Sequence, residues 1–99
     1  MRIVHHPGDP LQTDVTLAAG TVVDIRLEPA SGYRWSTLTS SDPAVADVMA
    51  TSAERSGAAT ATVALRAAGT ASLTATTSYQ PDRFGPPTRR WRLSVTVRR

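Results

Sequence analysis

Catalytic chemistry has little to draw on in this chain of 99 residues. Its two histidines, His5 and His6, are adjacent, so in a strand they face opposite ways. Neither then orients the other beside a hydroxyl as a nucleophile–base pair, and there is no cysteine. The pair also lacks the further Cys or His ligands that a metal centre needs. The eight acids are scattered and show no pairing for glycoside chemistry. An enzyme is not expected, and neither is a metal or an organic cofactor. Binding chemistry remains, and it concentrates in Glu28-Pro29-Ala30-Ser31-Gly32-Tyr33-Arg34-Trp35. Pro29 fixes φ near −65° and cannot extend a ladder, whereas Gly32 takes φ > 0 at little cost. Only Ala30 and Ser31 stand between them, giving a small, stiff, uncharged tip. Tyr33 and Trp35 then share one face of the returning strand. A preorganised wedge of this kind enters a cleft with little loss of loop entropy.

The segment resembles the first binding loop of the chagasin-like inhibitors of papain-type cysteine proteases, where Asn-Pro-Thr-Thr-Gly-Tyr is followed shortly by Trp. The resemblance continues outside the loop. Gly20-Thr21-Val22-Val23-Asp24-Ile25-Arg26-Leu27 is similar to the strand that precedes it. Ser41-Asp42-Pro43-Ala44-Val45-Ala46-Asp47-Val48 and Ala68-Gly69-Thr70-Ala71-Ser72-Leu73 also follow the family's habit, and the order holds from near Asp14 to Val97. The resemblance implies an immunoglobulin-like sandwich whose three loops at one end grip a protease, the first blocking its nucleophile. Carried over by position, Ala30 and Ser31 stand for the two Thr, Gly32 and Tyr33 match outright, and Ser31 lies nearest the catalytic thiolate. Glu28 replaces the motif Asn. An ionised Glu only accepts hydrogen bonds, so its longer side chain is expected to point to water and leave the loop less locked.

The second family loop is glycine-rich, and the resemblance places its equivalent at Gly57, Ala58 and Ala59. Gly57 is kept, but Ala59 and Thr60 stand where glycines are expected, and each Cβ holds the backbone off a partner. An ordinary hairpin turn is the competing reading. The third loop carries Arg-Pro-Trp in the family. Here Pro81 matches, and Arg83 and Phe84 supply the Arg and aromatic chemistry a few places later. Arg and aromatic side chains are the types that most often carry interface energy. A satellite cluster closing the end of the sandwich accounts for Phe84 equally well.

The elements that position these loops are strands. Period-two alternation recurs and period 3.6 is almost absent, so the chain is read as all-β. Apolar faces run through Val15 and Leu17; Val23, Ile25 and Leu27; Tyr33 and Trp35; and residues 46–50. They continue through Ala61, Val63 and Leu65; Ala71, Leu73 and Ala75; and Trp91, Leu93, Val95 and Val97. Breakers fall between them at Ala19-Gly20, Pro29 to Gly32, Asp42-Pro43, Ser56-Gly57, Ala68-Gly69 and Pro81 to Pro87. About seven strands at this spacing, with Trp35 as core plug, describe an immunoglobulin-like β-sandwich. Asp42-Pro43-Ala44-Val45 suits a single helical turn. Residues 1–99 form one domain, with residues 1–12 expected to be loosely ordered.

Composition narrows the partners. The net charge is +3 and all eleven basic residues are Arg. They are dispersed, however, and Arg90, Arg92 and Arg98 fall on the outer face opposite Trp91, Leu93, Val95 and Val97, so nucleic acid is not expected. No run of 18 apolar residues spans a membrane. Met1-Arg2-Ile3-Val4-His5-His6-Pro7 has no apolar core of a signal peptide. The reading is cytoplasmic if Met1 is the native start, and periplasmic or secreted if a leader was removed. A monomer is expected, with pairing through an edge strand the route to a dimer. The functional expectation is a reversible inhibitor of papain-like cysteine proteases. The alternative is a bacterial immunoglobulin-like structural or adhesion module with no protease target.

Overall fold

Residues 59–65 show most plainly what organises this molecule: alanine, valine and leucine point inward at every second position, with threonine or alanine between them. The computed structural model describes residues 1–79 and 89–99. Nine strands run in chain order through β1 (Arg2–His5), β2 (Gln12–Ala18), β3 (Val22–Leu27), β4 (Tyr33–Trp35) and β5 (Thr39–Ser40). They continue through β6 (Ala46–Ala53), β7 (Ala59–Leu65), β8 (Gly69–Tyr79) and β9 (Arg89–Arg98). One sheet has the order β1-β3-β7-β6; the other runs β2-β9-β8-β4, with β5 also on β8. The β1–β3 and β2–β9 pairs are parallel and every other pair is antiparallel.

The two inner faces meet in one core. Val23, Ile25, Leu27, Val63 and Leu65 come from the first sheet, and Trp35, Leu73, Trp91, Leu93, Val95 and Val97 from the second. Buried Ala46, Ala61, Ala71 and Ala75 interleave with them, so the sheets approach closely. Arg90, Arg92 and Arg98 are exposed on the outer side of β9, as its alternation predicts. The 42–46 segment closes the expected helical turn: Val45 and Ala46 both donate to the Asp42 carbonyl at 3.0 Å. Asp42 Oδ1 caps it by accepting the Ala44 amide at 3.1 Å.

Two features depart from the sequence reading. The strands number nine among the described residues rather than about seven, and the extra two are β1 and β5. Residues 2–5, expected to be loose, instead add a strand to β3. The Met1 ammonium and carbonyl engage Val22 O at 3.1 Å and the Asp24 amide at 2.9 Å. At the other end of β1 the Glu28 amide donates to His5 O at 2.8 Å. Burial of His5 completes the attachment, its ring meeting Trp35 edge-on at 5.7 Å. Main-chain pairing, the His5–Trp35 contact and the partly buried Ile3 hold β1, and four residues are too few for a periodic apolar signal.

Candidate functional site

Strand register brings the separated candidate segments to one end of the sandwich. Leu27 lies opposite Ala59, which also pairs with Ala53, so the loop after β3 emerges beside the β6–β7 turn. In the second sheet Tyr33 lies opposite Tyr79, and Thr77 opposite Arg89. His5 lies beside Leu27, which sends the β1–β2 connection out at the same end.

The first loop is built around a turn over residues 30–33. The Tyr33 amide donates to Ala30 O at 3.0 Å, and Gly32 at its third position has φ of +83°, as a type II turn demands. Ser31 and Gly32 are exposed; Pro29, Ala30 and Tyr33 are half-buried. Among the described residues the exposed Ser31 hydroxyl has no hydrogen-bond partner. Tyr33 leans on Tyr79, their ring centroids 5.2 Å apart.

The root of this loop is held from three sides. Trp35 Nε1 donates to Glu28 O at 3.0 Å, and the Glu28 amide is bound to His5 O. The Glu28 carboxylate does not point to water as expected. It accepts from Arg26 Nε, because residues two apart in an extended chain share a face. Arg26 also donates through Nη1 and Nη2 to the two carboxylate oxygens of Glu54, at 2.8 and 3.2 Å. Its hydrogen bonds hold the Glu54 carboxyl below the ordinary carboxylate range, against a smaller opposing effect of desolvation. Those two carboxylates push the Arg26 pKa upward, so the guanidinium stays charged. One arginine thus ties the first loop to the second.

That second loop corrects another expectation. Gly57, Ala58 and Ala59 are buried, Ala58 and Ala59 to 0% exposure, and so offer no contact surface. Their role is to support the first loop. Gly57, with φ of +95°, lies where an added Cβ would meet Tyr33 O at 2.5 Å and Pro29 Cγ at 3.2 Å. Its carbonyl accepts the Trp35 amide at 2.8 Å. Glycine is required because the backbone of β4 passes directly over it. The residues this turn exposes are Arg55 and Ser56. Within the turn, Gly57 N donates to Glu54 O at 3.0 Å and Glu54 N to Ala58 O at 2.8 Å.

Pro81, Arg83 and Phe84 lie outside the described residues; the strand ends that flank them, Tyr79 and Arg89, are at this same end. The β1–β2 connection is a segment the sequence reading did not place here. Asp9 N donates to His6 O at 3.0 Å and Asp9 Oδ2 accepts the His6 amide at 2.8 Å, making a self-capped exposed turn. The pairing of Pro7-Gly8 with Asp9 was its only local signal. Burial lowers the pKa of His5, with the charge of Asp9 opposing and His6 and Arg89 adding to the depression. Among the described residues no group of three or more His, Cys, Asp or Glu gathers as a metal site. No helix among them is long and apolar enough to cross a membrane.

Comparison with protein-family models returns no match, and neither does comparison with curated proteins. Solved structures do match. The cysteine protease inhibitor EhICP2 from Entamoeba histolytica superposes with a TM-score of 0.62 at 16% identity, covering 98% of this chain and 97% of that one. Domains 4 and 5 of the S-layer protein SbsC give 0.55 at 20% identity, covering 86% of this chain and 47% of that chain. Amebosin gives 0.50 at 17% identity over 91% of this chain and all of the other. At these identities the likeness is one of fold. The chain has an all-β, immunoglobulin-like sandwich, the fold it shares with EhICP2.

Proposed function

We propose that this protein is a reversible, non-covalent inhibitor of papain-type cysteine proteases. The carrying observation is the 30–33 turn, an exposed Ser31-Gly32 tip on a loop fixed by Trp35, Arg26 and the buried Gly57 turn. A tip already held in its bound shape gives up little entropy when it fills a cleft. Ser31 then sits over the thiolate–imidazole pair and blocks access without being cleaved, while the flanking segments set its position. The fold likeness to EhICP2, itself a cysteine protease inhibitor, supports the reading. A structural module is the second reading, favoured by the likeness to the S-layer protein SbsC. It assigns no purpose to a wedge this firmly buttressed.

Titration of papain and a cathepsin L-type protease with the whole chain tests the proposal through residual peptidase activity. An interface of standard size buries about 1,600 Å² in total, and with well-packed anchors it gives inhibition at roughly nanomolar concentration. Ser31→Arg should abolish inhibition while leaving thermal stability unchanged, since the side chain is exposed in the free protein. Inhibition that survives Ser31→Arg removes the first loop from the mechanism. No inhibition by the unaltered chain at tens of micromolar overturns the proposal.

A further inference from the structure

Among the described residues, the acids at the loop end are already engaged, and two of its arginines are not. Glu28 and Glu54 both belong to Arg26, and Asp9 accepts the His6 amide. Arg34 and Arg55 take part in no ion pair among the described residues. Arg34 Nη2 reaches only the main-chain oxygen of Arg55, at 3.5 Å. Its Nε is enclosed with no hydrogen-bond partner among the described residues. Arg55 is exposed at the crest of the second turn. The two stand together because the Gly57 turn packs beneath residues 33–34, its Cβ position 3.4 Å from Arg34 Cα. Arg34 is itself only two residues from Gly32.

Neither guanidinium has a carboxylate partner among the described residues, and a buried donor left unpaired is costly in the free protein. The exposed Arg55 side chain and the Nη groups of Arg34 can take carboxylates, because guanidinium groups bind them through paired N–H donors. We infer that Arg34 and Arg55 form a cationic ledge beside the Ser31-Gly32 tip, and that it docks on carboxylates lining the rim of the target protease's cleft. The inference rests on the inhibitor reading and specifies its partner: a papain-type protease with an acidic rim. Opposed charge of this kind acts chiefly on encounter, steering the tip toward the cleft before contact forms.

The experiment measures association rate constants from inhibition progress curves. Two papain-type proteases of opposite net charge serve as probes, one acidic and one basic, at about 0.02, 0.15 and 0.5 M NaCl. The unaltered chain should associate faster with the acidic protease and slow as salt rises. Arg34→Glu with Arg55→Glu should lower that rate about tenfold at low salt and reverse its salt dependence, leaving rates at high salt similar. Arg55→Glu alone changes only an exposed side chain, so it reads the same effect in part even where the double variant fails to fold. Unchanged rates in these variants, with inhibition intact, overturn the ledge and leave the inhibitor reading standing. If neither protease is inhibited by the unaltered chain, both fall. Faster capture of a polyphosphate or duplex DNA than of the acidic protease would assign the ledge to phosphate and overturn it as well.

Discussion

Gly57 and Gly32 both hold positive φ, but their surroundings make them unequal. A Cβ on Gly32 would lie 3.2 Å from Tyr79 Cε1, the side of a ring that can tilt. A Cβ on Gly57 would lie 2.5 Å from the Tyr33 carbonyl oxygen, main chain pinned by its place in β4. Gly32→Ala should therefore cost about 1 kcal/mol, the strain of the left-handed region alone. Gly57→Ala should cost about 3 kcal/mol and weaken inhibition too, because the first loop must shift to admit it. Denaturant unfolding of both variants checks the order; equal costs would mean that Gly57 does not buttress the first loop. Sequence makes part of this readable. Pro29, Gly32 and Tyr33 announce a turn by residue type alone. That Gly57, Ala58 and Ala59 are buried is not readable, because a turn is buried by what packs across it. The same limit hid the fate of Glu28, whose partner Arg26 is local but whose orientation depends on Glu54 from a distant turn.

At the scale of elements, the loop end is two loops bound into one by Arg26. Its hydrogen bond holds the folded pKa of Glu54 below the unfolded value, so the folded state favours the ionised carboxylate. The stabilisation is therefore complete above the unfolded pKa and is lost as pH falls through the folded one. Protection of the Trp35 and Gly57 amides against hydrogen exchange, corrected for intrinsic rates, should fall as pH drops below about 4.5. Arg26→Met should lower that protection at neutral pH and remove its pH dependence, because Glu54 then has no charged donor. A pH response unaltered by Arg26→Met would show that another contact joins the loops. The strands carrying these loops were readable where alternation is long, as in β7, β8 and β9. β1 and β5 were not, being four and two residues long and held mainly by main-chain pairing. An edge strand that short has too few inward positions to set a period.

For the whole molecule, fold and site draw on different residues. The sandwich is held by inward-facing strand positions of both sheets, and the loop end by glycines, one arginine and a tryptophan Nε1. Trp35 belongs to both sets: its ring fills the core while its Nε1 donor fixes the Glu28 carbonyl. The sandwich was legible because burying alternate residues of seven strands leaves a regular mark on sequence. The site was legible only as a tip, since its support comes from contacts between loops far apart in the chain. The two sets should also separate by experiment. Leu73 is 1% exposed, on the strand half away from the loops, where it pairs with Leu93 and Ser40. Leu73→Ala should cost about 2–5 kcal/mol through lost transfer energy and the cavity left behind. Assayed at a temperature where it remains folded, the variant should keep the inhibition constant of the unaltered chain within about twofold, since no loop contact is touched. Ser31→Arg should do the reverse, sparing stability and removing inhibition. Should Leu73→Ala weaken inhibition tenfold while still folded, the core and the loop end would be one cooperative unit, and the tip's shape would depend on packing throughout the sandwich.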